Sequence, residues 1–151
     1  VDLAGAEGLY PTGDFKEEFS LARELGVPFT IHAGEADGPE SIWKALEFGA
    51  VRIGHGVRAA EDEKLMEELA RRGIVLEMCP SSNLQTKAVT RLSDYPLREY
   101  LRRGIKATVN SDNMTVSDTW VGREFALLAQ EYGLTRAEAE VLLKNARDAA
   151  F

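Results

Sequence analysis

A short unit recurs along the chain, and it limits the possible folds more than any other feature. Gly26 is followed by Val-Pro-Phe-Thr-Ile-His (27–32), Gly49 by Ala-Val-Arg-Ile-Gly-His (50–55), Gly73 by Ile-Val-Leu-Glu-Met-Cys (74–79) and Gly104 by Ile-Lys-Ala-Thr-Val-Asn (105–110). In each copy a glycine suited to a helix C-terminus precedes a short apolar, β-branched run. A polar or reactive residue stands six positions after each glycine. The glycines are 23, 24 and 31 residues apart, which leaves room for a helix between runs.

Helical patterns fill those gaps. Residues 14–25 carry Phe15, Phe19, Ala22 and Leu25, with Asp14 as the expected cap. Residues 39–48 open on a proline suited to a first turn and place Ile42, Ala45 and Leu46 on one face. Residues 61–72 group Leu65, Met66 and Leu69, with acids early and two arginines late, as the helix dipole favours. Shorter 97–103 and longer 117–132 and 135–149 complete the set, and Thr135 with Glu138 has capping-box spacing.

Counting residues 1–4, five strands are expected, at about 1–4, 28–33, 51–54, 74–79 and 105–110. Alternation of strands with helices of this length implies a parallel α/β sheet, whose chemistry gathers beyond the carboxyl ends of the strands. The residues six places after each glycine fall at that edge, and 81–94 reads as a long βα loop forming a rim or lid. Pattern alone leaves two architectures open. One is a doubly wound sheet; the other is most of an eight-stranded barrel, which usually needs about 250 residues.

The chain of 151 residues fits one domain, 1–151. With 44% hydrophobic and 28% charged residues it is too apolar for disorder. Twenty-five acidic residues against eighteen basic ones give a net charge of −7, which argues against nucleic-acid backbones and anionic membranes as partners. One cysteine excludes a disulfide framework and a cysteine-rich zinc site. No apolar run approaches the roughly 18–20 residues of a membrane span, and the opening residues lack signal-peptide architecture, so a soluble, cytoplasmic protein is expected. The chain opens on Val1 inside a strand-like run and stops just after a helical pattern, and so reads as a piece of something longer.

The two histidines, His32 and His55, occupy equivalent positions of the repeat. Either could be a structural residue; two of two at one rim point to a site. Glu35 follows His32 by three residues in a glycine-containing turn, as a solvated acid or as a general acid or base. Asp112, in Asn-Ser-Asp-Asn (110–113), puts a carboxylate at the same rim, unless it only forms an Asx turn. Imidazoles and carboxylates together suit a hydrolytic divalent metal such as zinc, yet a catalytic zinc normally has at least three protein ligands. Cys79 reads as a buried small residue in preference to a nucleophile.

Five segments in order, Asp-Leu-Ala-Gly (2–5), His-Ala-Gly-Glu (32–35), Arg-Ile-Gly-His-Gly (52–56), Cys-Pro-Ser-Ser-Asn (79–83) and Val-Asn-Ser-Asp-Asn (109–113), resemble the adenosine deaminase family of metal-dependent amidohydrolase barrels. The resemblance runs from residue 2 to about 149. It implies a (β/α)8 barrel of which this chain covers about strands 4 to 8, with strands 1 to 3 and their His-x-His zinc-ligand pair absent. The implied reaction is hydrolytic deamination of adenosine or 2′-deoxyadenosine by a zinc-activated water, with one zinc ion per complete barrel. By the same resemblance His32 and Asp112 look like zinc ligands, Glu35 like the acid that protonates purine N1, and His55 like the histidine that orients and helps deprotonate the attacking water. Gly5 resembles the backbone donor to purine N3. Asn113 stands where many members carry an aspartate facing purine N7, and its amide donates to that acceptor at any pH.

Two other functions remain open on these grounds. Adenine or AMP deaminases share the motifs, and AMP would call for basic residues at the rim, for which Lys87 and Arg91 are candidates. A half-barrel that binds a nucleoside or partner without turnover is the non-enzymatic reading. The small-molecule nucleoside is the expected partner, and the open sheet edges are expected to meet the absent N-terminal strands or to self-associate.

Overall fold

In the computed structural model, which describes residues 1–151, the five expected runs form one parallel sheet. They are β1 (Asp2–Leu3), β2 (Thr30–Ala33), β3 (Arg52–His55), β4 (Val75–Met78) and β5 (Lys106–Val109). Their spatial order is β1-β2-β3-β4-β5, the order of the chain, with no reversal. That order separates the two architectures left open above. A doubly wound sheet reverses direction at a switch point, whereas a barrel adds each strand beside the last. The chain is α/β and forms five consecutive strands of a partial barrel, with one unpaired edge on each of β1 and β5.

The connecting helices are α1 (Lys16–Glu24), α2 (Pro39–Phe48), α3 (Glu63–Arg72), α4 (Pro80–Gln85), α5 (Leu97–Arg102), α6 (Val121–Leu127), which runs on into a π turn at Leu128–Tyr132, and α7 (Arg136–Asp148). Each repeat glycine sits in the left-handed region, with φ of 66°, 96°, 67° and 76° at Gly26, Gly49, Gly73 and Gly104. A side chain is strained there, so glycine ends each helix and turns the chain into the next strand. No helix is long and apolar enough to cross a membrane.

Strand alternation sorts the sheet into two faces. Ile31, Ile53, Leu76 and Ala107 stand side by side across β2 to β5 and are fully buried. They join Phe19, Leu46, Leu69 and Leu142 in a core of 29 residues. Alternate positions are polar and meet one another: the Thr30 hydroxyl donates to Glu77 Oε2 at 3.1 Å, and Arg52 Nε lies 3.1 Å from Glu77 Oε1.

Three local expectations need correction. Asp14 is not a cap; it lies inside a 3₁₀ turn, Thr12–Phe15, and α1 starts after Phe15 without a side-chain bond. The stretch 81–94 is not a long loop, because Pro80 presets the first turn of α4 and a second short turn forms at Leu92–Asp94. The helix expected from 117 begins at Val121, since the Thr119 hydroxyl bonds Glu124 and Asp118 takes φ 46°. The Thr135–Glu138 capping box is present as expected.

Asp62 caps α3, with Oδ1 accepting from Lys64 N at 2.9 Å and Leu65 N at 3.2 Å, while Trp43 Nε1 of α2 donates to Oδ2 at 2.9 Å. Asp62→Ala is expected to cost about 0.5–2 kcal/mol, the range for a lost N-cap, and Asp62→Asn much less. Urea denaturation midpoints of the variants check this.

Candidate active site at the carboxyl ends of the strands

The register of β2 and β3 sets Ala33 beside His55 and His32 beside Gly54. A Cβ on residue 54 would stand 2.9 Å from the His32 ring and 3.2 Å from its Cα, so glycine is what lets the ring lie across the sheet. His55 ends β3 with φ 63°, and Asp112, just past β5, has φ 55°. Non-glycine residues rarely occupy this region, which costs of order 1–3 kcal/mol and clusters at functional sites.

His32, Glu35, His55 and Asp112, the four rim residues singled out from the sequence, converge. His55 Nε2 lies 3.5 Å from Glu35 Oε2 and 3.9 Å from Asp112 Oδ2. The two imidazole rings meet edge to face at 5.0 Å between centroids. His32, His55, Cys79 and Asp112 line a cavity of about 310 Å³. A neighbouring cavity of about 170 Å³ shares His32 and is lined by Gly5, Glu7 and Phe15. The Gly5 N–H, in that second wall, has no partner within the chain.

The rings differ in electrostatics. A hydrogen bond from His32 Nδ1 to Asp2 Oδ1, at 3.1 Å, raises the His32 pKa; burial opposes it, and the charges of Asp2, Asp112 and Glu35 add to the rise. Burial holds the His55 pKa below its ordinary value despite the pull of Glu35 and Asp112. Its carboxylate neighbours therefore do not make it an imidazolium; desolvation wins. Cys79 is buried, and burial followed by the charges of Asp112 and Glu35 pushes its thiol far up, so it stays protonated and points at Glu77 O, 3.4 Å away. That removes the nucleophile reading. Its sulfur lies with one donor atom each of His55 and Asp112 inside a 4.8 Å group, the spacing of a metal site, although ligation by Cys79 would need the thiolate.

The Asx turn considered for Asp112 is made by its neighbour. Asn113 Oδ1 accepts from Thr115 N at 3.1 Å and Val116 N at 2.9 Å, which leaves the Asn113 amide hydrogens to donate elsewhere and the Asp112 carboxylate at the cavity.

Several residues were not singled out beforehand. Asp2 orients His32. Buried Asn83 contacts His55 and Glu35 through Nδ2, and Thr86 Oγ1 donates to Glu35 Oε1 at 3.1 Å. Glu7 is the largest omission. Its carboxylate accepts from Gly34 N at 2.6 Å, Ser41 Oγ at 2.5 Å, Ala36 N at 2.8 Å, and Glu35 N and Asp37 N at 3.1 Å each. Glu7 thus ties the turn that carries Glu35 to the loop that carries Gly5. A run of backbone N–H groups in a glycine turn was the legible half of this contact; the acid that fills it lies 27 residues earlier in sequence.

Burial alone would raise the Glu7 pKa, but the Ser41 hydroxyl and the Gly34, Ala36 and Asp37 amides outweigh it and hold the carboxyl below its usual value. A depressed folded-state pKa contributes stability that is present above the unfolded value and is lost as pH falls through the folded one. The complete protein should therefore lose thermal stability more steeply than Glu7→Gln between roughly pH 5 and pH 3. Melting temperatures of both across that range check the difference.

Residues 1–151 match the family model described as adenosine deaminase. Over 151 residues the chain is 59% identical to an adenosine deaminase of Haemophilus ducreyi, covering all of this chain and 44% of that protein. An adenine deaminase of Arthrobacter aurescens superposes with a TM-score of 0.96 at 32% identity, over 99% of this chain and 46% of the other. The N6-methyl-AMP deaminase of Arabidopsis thaliana superposes with a TM-score of 0.87 at 26% identity, over 99% and 44%. The chain spans less than half the length of the curated relative and of both structures. With a match that runs its whole length, this chain belongs to the adenosine deaminase family.

Proposed function

We propose that the complete protein deaminates adenosine and 2′-deoxyadenosine by hydrolysis, giving the inosine product and ammonia. The observation that carries this reading is that a carboxylate oxygen of Glu35 and one of Asp112 each lie within 4 Å of His55 Nε2, in a chain 59% identical to an adenosine deaminase.

The donor chemistry fits zinc. His32 gives its Nδ1 hydrogen to Asp2, so in the neutral ring Nε2 keeps its lone pair. His32 and Asp112 are the proposed ligands from this chain, with further ligands from the rest of a complete barrel. A zinc ion held there would supply an acidified water, a nucleophile available near neutral pH.

The remaining work falls to the side chains. His55 and Asp112 orient the attacking water toward C6 of the purine. Glu35 passes a proton to N1 as the C–O bond forms, so negative charge does not build on the ring. In the tetrahedral adduct the C6 hydroxyl gives up its proton to the amino nitrogen, the C–N bond breaks, ammonia leaves, and the C6–O bond becomes the carbonyl of the product. Gly5 N–H donates to N3 and the Asn113 amide to N7, which fix the base in register with Glu35.

Adenine deamination is the second reading, favoured by the 0.96 TM-score against an adenine deaminase. AMP is a third reading, with Lys87 and Arg91 as the candidate phosphate contacts and Arg91 paired with Asp94 at 2.9 Å on the surface. The free edges of β1 and β5 suit pairing with further strands of a barrel.

Assays of the complete protein on adenosine, adenine and AMP should give the highest kcat/KM for adenosine; a preference for either rival replaces the main reading. Glu35→Gln should lower kcat by about 10²–10⁴-fold, the share of a general acid, with metal content unchanged. Gly54→Ala should instead act on metal. Displacing the His32 ring from Asp2 should weaken zinc binding about 10–100-fold, the usual cost of disturbing a ligand's support. Competition with a chromophoric chelator measures it.

A further inference from the structure

Every hydrogen-bonding group of the Asn83 side chain is committed. Oδ1 lies 2.9 Å from Tyr95 Oη, and Nδ2 lies 3.0 Å from His55 Nδ1 and 3.3 Å from Glu35 Oε1. Asn83 is fully buried, so these contacts are not exchanged with solvent. The chemistry of the partners fixes which way the amide points. Glu35 Oε1 already accepts from the Thr86 hydroxyl, so the amide atom facing it must be the NH₂ group. Tyr95 is buried, its phenol stays protonated, and it donates to Oδ1.

The second amide hydrogen then meets His55 Nδ1, which must offer a lone pair. A neutral imidazole has one N–H, so the proton sits on Nε2. That nitrogen is the one aimed at Glu35 Oε2 and Asp112 Oδ2. The other tautomer would set the Nδ1–H against the amide N–H, with no acceptor between them.

We propose that Asn83, clamped by Tyr95, is a positioning residue that fixes His55 as the Nε2–H tautomer and makes it a hydrogen-bond donor into the cavity. This rests on the proposed reading of His55 and Glu35 as members of the reacting site. It also narrows what His55 does. A second proton could enter only at Nδ1, by breaking the bond from Asn83, so His55 orients water by donation. The backbone supports the clamp: Asn83 N donates to Cys79 O at 2.9 Å, and the buried Glu124 carboxylate accepts from Ser81 N at 2.9 Å, which holds the first turn of α4.

The test uses the complete, zinc-loaded protein. Long-range ¹⁵N–¹H correlation spectra of histidine-labelled protein, with the His55 ring assigned by its loss in His55→Gln, read the tautomer without substrate. The wild type should show a proton on Nε2. In Asn83→Asp, an isostere that replaces the NH₂ group by an acceptor, the proton should move to Nδ1. kcat should fall about 10²-fold or more, the scale of a misoriented catalytic group, with KM and zinc content little changed. A packing role predicts that isosteric Asp is milder than Ala; the positioning role predicts that Asp is at least as damaging. Tyr95→Phe, which frees the amide to turn, should show a mixture of tautomers and a smaller loss of kcat, and it supplies the comparison if Asn83→Asp does not fold. A wild-type proton on Nδ1, an unmoved tautomer in the variants, or more activity in Asn83→Asp than in Asn83→Ala overturns the proposal. A wild type without deaminase activity whose ring still carries the Nε2 proton, shifting in Asn83→Asp, overturns the proposed reaction and leaves the tautomer assignment standing.

Discussion

The rim depends on the register of the parallel ladder. Ile31, Ile53, Leu76 and Ala107 pair across four strands, and all are fully buried. Burial of a side chain of this size contributes roughly 1.5–3 kcal/mol for the larger ones. A slip of one residue would turn the aliphatic row toward Arg52 and Glu77 and carry the polar row into the core. The same register that this penalty enforces places His32 beside Gly54 and Ala33 beside His55. Core packing and site geometry are therefore one constraint. A residue at the end of a strand, such as His32 or His55, gains its position from apolar contacts one or two residues earlier.

Within that frame, two identical side chains acquire opposite characters. His32 is partly exposed and bonded to a carboxylate, and its pKa rises. His55 is buried, with a neutral amide on one nitrogen, and its pKa falls. Their ring centres are 5.0 Å apart. Two imidazolium ions at that distance would repel, and one raised and one lowered pKa avoids this. The division also separates what the rings offer: a ring that donates through Nδ1 leaves Nε2 to accept, and a ring that accepts at Nδ1 leaves Nε2 to donate into the cavity.

Much of this was legible in the residues themselves. The glycine-to-rim spacing of six located the carboxyl ends of four strands, because helix C′ glycines and strand lengths are local properties. His32, Glu35, His55 and Asp112 were visible as reactive types at that edge, and they do converge. What stayed hidden was contact at long range. Periodicity could not tell a barrel from an open sheet, since strand order is a property of the assembled sheet. Glu7 reads as one more acid among twenty-five until the fold brings it to the Gly34 turn. Asn83 looks like polar punctuation in a stretch expected to be a loop, Tyr95 lies just past it, and only α4 turns the amide toward His55. Local signals failed where a side chain's role is set by a partner on another strand.

The acids that were missed share one physical use. In a chain of net charge −7, each further buried carboxylate adds repulsion and desolvation cost. Glu7 and Glu124 are buried nonetheless, and each is met by donors, not by cations: Glu7 by four backbone N–H groups and the Ser41 hydroxyl, Glu124 by Ser81 N and the Thr119 hydroxyl. Amide donors are part of the main chain, so they fix backbone position in a way that a flexible lysine or arginine would not. One carboxylate thereby sets the turn bearing Glu35, and the other sets the helix start that leads to Asn83. Glu35 and Asn83 touch each other and flank His55 on its two nitrogens. The desolvation cost of two buried carboxyl groups is offset by donors whose placement positions Glu35 and the tautomer-setting amide of Asn83, so the acids inside the protein hold the rim side chains in place.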